Sequence, residues 1–271
     1  MSVRLDALLV DFEKLWPLEY AEAWDSVGLV SGNHAQTIKR VLLSVDVTAS
    51  VLQEAEGFDL VLSHHPLLLK GVTSIAEQTS KGAVLAAAIR QGTALYAAHT
   101  NADSVIGGVS DSLAVSLGLI NTEPLVPSQW SGVGSGRIGE LPQQITLLEL
   151  AKRLAIVLPP TASGIRVSGD HETLVKTIAL CGGAGDAFIG QALKSAADVY
   201  ITSDLRHHVV QEALESASAE NRIISFIDVS HWAAEWVWLH NAANQLRVLH
   251  PSIEFVVCEL RTDPWDFVVT Q

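Results

Sequence analysis

Short apolar runs rich in Val, Ile and Leu alternate with helical patterns along most of this chain. Runs of this length and composition are typical of buried β-strands, and the segments between them, such as 48–57 and 81–92, have the spacing of amphipathic helices. Strand alternating with helix predicts an α/β fold. The predicted strands are VLLSV (41–45), DLVLS (59–63), ALYAA (94–98), TIALC (177–181), DVYIT (198–202), IISFIDV (223–229) and IEFVVCEL (253–260).

The order of these elements repeats, with three strand–helix units in each half and polar residues after the strands. An approximate duplication explains the repeat, and chance similarity between α/β units is the alternative. Ligands bind at the carboxyl ends of strands in open α/β sheets, so we expect the site in the cleft between the halves. We predict a first α/β half over 1–123, a Gly-, Pro- and Ser-rich linker over 124–144, and a second half over 145–271, which opens with a helix over 145–158.

Composition narrows the function classes. The chain has 271 residues, of which 48% are hydrophobic, and a net charge of −13, which argues against direct binding of nucleic acid. Two cysteines make neither a disulfide framework nor a zinc ribbon, and they fit a reducing cytoplasm. Charged residues interrupt the apolar residues at the N-terminus, and no apolar run approaches the roughly 20 residues that span a bilayer. We therefore expect a cytoplasmic protein without a signal peptide or membrane segment.

Two adjacent histidines, His64 and His65, follow the predicted strand 59–63 and directly precede Pro66. Adjacent strand residues point to opposite faces, but this rule relaxes at the end of a strand, where Pro66 favours an extended His65. The two imidazoles can then diverge, which suits two metal ions about 3.5–4 Å apart with one histidine on each. A solvated turn is the alternative interpretation.

Carboxylates are the other expected ligands, because a dinuclear site needs negative charge and bridging oxygens. Asp103 follows the strand 94–98, and His231 and Glu235 have the spacing that places two side chains on one helix face. Asp103 could instead cap a helix, and His231 with Glu235 could be an ordinary ion pair. Together these residues predict a site for two divalent ions, with zinc, iron, manganese and nickel not distinguished, whose ligands are His64, His65, Asp103, His231 and Glu235.

Further polar residues after the strands are candidates for orienting the ligands or contacting a substrate. Two of them precede Asp103, and three follow the strand 198–202. Strand-end, capping and surface roles are the alternatives. These candidates are His99, Asn101, Asp204, His207 and His208.

Five ordered motifs resemble the family of GTP cyclohydrolase 1 type 2 homologs, also called Ngg-interacting-factor-three-like proteins. They are WDSVGLVSG (24–32), DLVLSHHPLLLKG (59–71), HTNADSVIGGVSDSLAVSLGL (99–119), TSDLRHH (202–208) and SHWAAE (230–235). The resemblance implies intertwined, duplicated α/β halves, a dinuclear metal site on the five residues above, and a toroidal hexamer. Relatives often have Gly-His-Tyr where this chain has Ser230-His231-Trp232, which keeps the ligand. Some members have an extra domain between the halves, for which this chain is too short.

Two functions follow from such a site. Two metals would turn a bridging water into a hydroxide nucleophile, which predicts a metal-dependent hydrolase acting on a small-molecule or nucleotide-like substrate. The cyclohydrolase reaction itself comes from the family name alone, and no residue is assigned as catalytic. The alternative is a metal-binding chaperone, store or interaction scaffold without turnover.

Overall fold

The computed structural model describes residues 2–270. Its helices follow the apolar periodicity of the sequence, and the helix predicted at 145–158 begins after Thr146, whose hydroxyl caps it by accepting from the Glu149 N–H. The helices are α1 (Leu5–Leu15), α2 (Ala49–Glu54), α3 (Ser80–Gln91), α4 (Thr100–Ser104), α5 (Val109–Ser116), α6 (Leu147–Val157), α7 (Ile189–Lys194), α8 (His207–Ala219) and α9 (His231–Leu249), with 3₁₀ turns at Leu18–Tyr20 and Asp186–Phe188.

The predicted strands are all present, with bounds that shift by a few residues. The additional strands lie in two short ribbons and in the two larger sheets, where one of them lies between two other strands and the rest are at edges. The strands are β1 (Val3–Arg4), β2 (Gly28–Ser31), β3 (Thr37–Ile38), β4 (Arg40–Ser44), β5 (Leu60–Ser63), β6 (Ala94–Ala97), β7 (Ile120–Glu123), β8 (Val126–Pro127), β9 (Gly134–Ser135), β10 (Arg137–Thr146), β11 (Arg166–Ser168), β12 (Leu174–Ala184), β13 (Val199–Ser203), β14 (Ser225–Val229) and β15 (Glu254–Val257).

The chain divides into two compact units that are intertwined along the sequence. Among the described residues, unit 1 contains 2–102 and 239–262, and unit 2 contains 103–238 and 263–270. The chain therefore leaves unit 1, builds most of unit 2, returns to unit 1 for residues 239–262, and then rejoins unit 2. This grouping differs from the predicted boundaries, because residues 103–123 group with the second unit and residues 239–262 with the first.

Unit 1 is built on a five-stranded sheet with the order β15-β4-β5-β6-β2. The first four strands are parallel, and β2 is an antiparallel edge strand. All residues of β5 and β6 are buried, which explains why these strands read as continuous apolar runs rather than as alternating ones. The core of this unit includes Leu42, Val51, Leu52, Val61, Leu85, Ala88 and Leu95.

Unit 2 is built on a six-stranded sheet with the order β11-β14-β13-β12-β10-β7. Its three central strands, β12, β13 and β14, are parallel and consecutive in sequence, like β4, β5 and β6 of unit 1. The same local order thus recurs in each unit, as the repeat in the sequence predicts. The core of this unit includes Ala179, Ile189, Ala192, Tyr200, Ala213, Ile224 and Phe226.

The segment expected to be a linker, residues 124–144, contains β8, β9 and most of β10. Its glycines suggest a loop, but two of them permit close approach of neighbouring strands. A Cβ on Gly136 would lie 2.8 Å from the Leu180 carbonyl oxygen, and one on Gly139 would lie 3.0 Å from that of Ile120. Strand β10 pairs antiparallel with both β12 and β7, so this segment is part of the sheet of unit 2.

No helix among residues 2–270 combines the length and apolar character that crossing a bilayer requires.

Candidate metal centre

The His64-His65 pair directly follows β5 in unit 1. The His64 N–H donates to the Ser44 carbonyl oxygen at 3.0 Å, and the His65 N–H donates to that of Val45 at 2.8 Å. These bonds continue the pairing with β4 by two residues, so the backbone of both histidines is fixed by the sheet. Pro66 follows, and the strand ends where the sequence predicts.

His64 is fully buried, and its ring orientation is set by a backbone oxygen. Its Nδ1 lies 2.9 Å from the Ala98 carbonyl oxygen. A carbonyl can only accept, so Nδ1 carries the proton, and in the neutral ring the lone pair is at Nε2. That is the arrangement of a histidine prepared to bind a metal through Nε2.

His65 is oriented by a carboxylate that the sequence analysis missed. Its Nδ1 donates to Asp46 Oδ1 at 2.8 Å, and the Thr262 hydroxyl donates to the other carboxylate oxygen. Asp46 follows β4, so the rule that polar groups gather after parallel strands could have identified it. A carboxylate–histidine pair of this kind raises the basicity of the imidazole toward a metal.

His99 has the same kind of partner. Its Nδ1 donates to Asp25 Oδ1 at 2.9 Å, and the Thr100 N–H donates to Oδ2 at 3.0 Å. Burial alone would raise the pKa of Asp25, but the hydrogen bonds from His99 and Thr100 outweigh burial and hold that pKa well below its ordinary value. Asn101 also supports this turn, because its side-chain oxygen accepts from the His99 N–H at 2.9 Å and its amide donates to the Trp16 carbonyl oxygen. Asp25 therefore has a positioning role that the sequence motif alone did not reveal.

These three histidines form one group. The ring centroids lie 5.1 Å apart for His64 and His65, 5.1 Å for His64 and His99, and 5.4 Å for His65 and His99. Each ring offers a nitrogen, and these nitrogens all lie within 4.8 Å of one another, so the group could hold a metal ion. His99, expected only to orient ligands, thus lies among the candidate ligands.

Asp103 is half-buried in α4 and does not cap a helix, because α4 begins at Thr100 and Gly108 is the N-cap of α5. The helix-capping alternative for Asp103 is therefore wrong. Burial raises the pKa of the Cys181 thiol in β12, and the negative charge of Asp103 raises that pKa further. Asp103 thus lies close enough to β12 for its charge to act on the Cys181 thiol.

His231 and Glu235 lie in the first turns of α9, four residues apart, as the sequence predicts. His231 Nε2 lies 2.8 Å from Glu235 Oε1, and His231 Nδ1 lies 2.7 Å from Asp204 Oδ2. Burial alone would lower the pKa of His231, but the Glu235 and Asp204 carboxylates outweigh it and raise the pKa to about 11. Without a metal the pair is therefore an ion pair, and a divalent cation could replace the shared proton between the same two atoms.

A glycine makes room for this pair. A Cβ on Gly183 would lie 2.5 Å from Glu235 Oε1 and 3.4 Å from His231 Nε2, and its φ of +72° also favours glycine. Gly183 lies at the end of β12, and its carbonyl oxygen accepts from the Thr202 hydroxyl at 2.9 Å. The paired glycines at 182–183 were the sequence signal for this close approach. Together with the nitrogen and oxygen donors, this space fits a divalent ion.

The remaining candidates differ in their surroundings. Asp204 follows β13 with a φ of +59°, and its carboxylate accepts from His231 Nδ1. His207 and His208 are exposed in the first turn of α8, with ring centroids 5.1 Å apart. Within residues 2–270, no group of three possible metal ligands includes either of them.

The fold and these groups define an α/β protein with histidine and carboxylate side chains that could hold a metal ion after its parallel strands. Residues 3–264 match the family model Duf34/NIF3 (NGG1p interacting factor 3). The chain is 42% identical to the GTP cyclohydrolase 1 type 2 homolog of Streptomyces coelicolor, over 97% of this chain and 93% of that protein. The chain belongs to the DUF34/NIF3 family.

Two further comparisons extend this result. The GTP cyclohydrolase 1 type 2 homolog of Mycobacterium leprae is 31% identical over 98% of this chain and 96% of its own length. That alignment spans 374 residues, more than this chain has, so that relative contains inserted residues. The crystal structure of a Bacillus cereus protein related to NIF3 superposes with a TM-score of 0.89 at 24% identity, covering 98% of this chain and 99% of that one, and it shows the shared fold.

Proposed function

We propose that this protein binds two divalent metal ions per chain and is a metal-dependent hydrolase. The observation that carries the proposal is the group of three imidazoles in unit 1, each with its Nδ1 held by an oxygen acceptor. Groups with fixed tautomers and converging nitrogens suit a metal far better than a structural core. The proposed ligands are His64, His65, Asp103, His231 and Glu235, and His99 lies beside the first two.

The donor set supports the type of metal. Imidazole nitrogens and carboxylate oxygens suit zinc, iron, manganese or nickel, and neither cysteine belongs to the proposed set. When bound, such ions act as Lewis acids that polarise a substrate and lower the pKa of water toward ~7. The chain itself holds the imidazoles in one tautomer through Asp46, Asp25 and Asp204. It also keeps the Glu235 carboxylate buried in unit 2.

The substrate class is the most specific part of the proposal. The Streptomyces and Mycobacterium relatives have names that refer to a GTP cyclohydrolase. A small nucleotide-like molecule therefore has support as substrate, and hydrolysis is the reaction that the metals favour.

A second candidate function is a metal chaperone, store or scaffold without turnover. The burial of the ligands favours it, because His64 is 0% exposed and Glu235 only 2%. Deeply buried ligands retain a metal well but leave less room for a substrate to approach.

The family resemblance also supports a homo-oligomer, a toroidal hexamer, that works in the cytoplasm. Light scattering should give six times the chain mass. A monomer at micromolar concentration would contradict this part of the proposal.

Ligand substitutions test the metal proposal. We expect His64→Ala and Glu235→Ala each to lose at least one ion per chain by elemental analysis, with circular dichroism unchanged. His34→Ala is the matched control, because His34 is an exposed histidine of unit 1 and should leave the metal content at two.

One result would test the ligand assignment, and another would decide between the candidate functions. If both ligand variants keep two ions as tightly as the wild type, the ligand assignment is wrong. If the wild type holds two ions but hydrolyses no member of a panel of nucleotides, phosphoesters and cyclic amides, the chaperone or store replaces the hydrolase.

A further inference from the structure

Trp24 is a large apolar side chain left open to solvent beside the histidines of unit 1. It is 59% exposed, whereas the side chain of the next residue, Asp25, is fully buried. Indole is among the side chains that bury the most apolar area in cores and interfaces. An exposed tryptophan next to a buried polar anchor therefore points to a surface that a ligand covers.

The turn that presents Trp24 is fixed at several points. The Asp25 N–H donates to the Glu22 carbonyl oxygen at 2.9 Å, and the Glu22 N–H donates to the Thr100 hydroxyl at 2.9 Å. Asp25 in turn accepts from the Thr100 N–H. A ligand that covers the indole would thus meet a surface that is already ordered, which lowers the entropic cost of binding.

The indole also stands at the edge of the imidazole group. Its ring centroid lies 5.9 Å from that of His99, with the planes at 80°. This edge-on contact with His99 places the indole beside the candidate metal-binding nitrogens while most of its surface stays exposed. A ligand lying on Trp24 would therefore have its polar groups within reach of His99, His64 and His65, whose rings adjoin.

We propose that Trp24 is a stacking platform for a fused aromatic heterocycle of purine size, which makes it a substrate-binding residue of the same site. The electron-rich indole face stacks well on nitrogen heterocycles, and such a stack weakens when the aromatic ring is removed. This inference rests on the proposed metal function and adds to it the part of the substrate that the metals do not touch.

The test is calorimetric titration of metal-loaded protein, with its metal content measured beforehand, using guanosine and adenosine as ligands and ribose 5-phosphate as the ring-free probe. Trp24→Leu should weaken nucleoside binding by about tenfold or more, and Trp24→Phe should stay within a few-fold of the wild type. Trp265→Leu is the matched control, because Trp265 is 65% exposed in unit 2, and it should bind like the wild type. Binding of ribose 5-phosphate should not differ among the four proteins.

Several results would overturn the inference. One is equal nucleoside affinity in Trp24→Leu and the wild type, and another is no binding of either nucleoside by metal-loaded wild type. A fall in oligomer mass in Trp24→Leu, with nucleoside affinity unchanged, would assign Trp24 to a contact between chains. A failure of the metal proposal is distinct, because it shows as absent metal in the wild type before any nucleoside is added.

Discussion

At the scale of single residues, an oxygen acceptor holds Nδ1 of each histidine in the candidate centre. Three acceptors are carboxylates, and the fourth is a backbone carbonyl. Metal-binding histidines depend on such partners, because the acceptor fixes both the tautomer and the ring plane. The acceptors are Ala98 for His64, Asp46 for His65, Asp25 for His99 and Asp204 for His231.

The sequence predicted the histidines better than it predicted these partners. His64 and His65 are conspicuous because two adjacent histidines interrupt an apolar pattern. Asp46 and Asp25 come to their histidines from 19 and 74 residues away along the chain. Local patterns carry no signal for such pairings, which only the folded sheet creates.

Removing metal should make the stability of the protein sensitive to alkaline pH through His231, because its carboxylate partners raise its pKa to about 11. The folded chain keeps this proton far above the ordinary histidine pKa of ~6.5, so the stabilisation is complete below that pH and is lost as pH rises through the folded pKa. Urea unfolding of chelator-treated protein from about pH 6.5 to about pH 11 should show a falling free energy of unfolding.

The His231→Gln variant should show a shallower decline over the same pH range. His208→Gln is the control, since His208 is exposed, and it should behave like the wild type. Equal slopes for His231→Gln and the wild type would contradict the role of this proton.

Gly183→Ala should damage the metal site more than the fold. The added Cβ would meet the Glu235 carboxylate at 2.5 Å, and the left-handed φ should cost about 1–2 kcal/mol of stability. We expect metal affinity to fall by about 10- to 100-fold, measured by competition with a chromophoric chelator. Gly190→Ala in α7 is the control, because its Cβ would meet open space, and a similar affinity loss in both variants would refute the explanation.

At the scale of elements, the parallel strands were predictable and β10 was not. Strands such as β5 are buried on both faces, so their apolar runs stand out. Strand β10 contains Gly139 and Pro142 and alternates buried with half-exposed residues before an exposed stretch. Such a sequence resembles a loop, and its strand character comes from pairing with β12 and β7 on either side.

One side chain at the start of β10 ties several elements of unit 2 together. Arg137 is 2% exposed, and its guanidinium donates to the Asp111 carboxylate and to four carbonyl oxygens, those of Gly134 at 2.8 Å, Gly136 at 2.7 Å, Val105 at 2.8 Å and Ser104 at 3.4 Å. The connection from α4 to α5 is thereby held against β9 and β10. This connection follows Ser104, the last residue of α4, and the proposed ligand Asp103 is the residue before it.

Arg137→Met should therefore destabilise the protein by about 3–5 kcal/mol, because it leaves the largely buried Asp111 carboxylate without its cationic partner. Urea unfolding followed by circular dichroism measures the change. Arg153→Met is the control, because Arg153 pairs with Glu149 on an exposed helix face, and it should cost no more than ~0.5 kcal/mol. Equal costs for the two variants would contradict the proposed role of Arg137.

At the scale of the whole molecule, the intertwining of the units lay beyond what periodicity can reveal. The strand predicted at 253–260 is present as β15, but it pairs with β4, more than two hundred residues earlier in the chain. An apolar run indicates a strand without naming its neighbour, because register and partner depend on the completed sheet. The family resemblance supplied the expectation of intertwined halves, and the family match and the fold agree with it.

The most direct measurement is the metal content per chain by elemental analysis, on protein purified without a nickel column and incubated separately with zinc, manganese and iron(II). We expect about two tightly held divalent ions per chain with at least one of these metals. Less than about one ion per ten chains with all three metals would contradict it and would return His64 and His65 to a structural role.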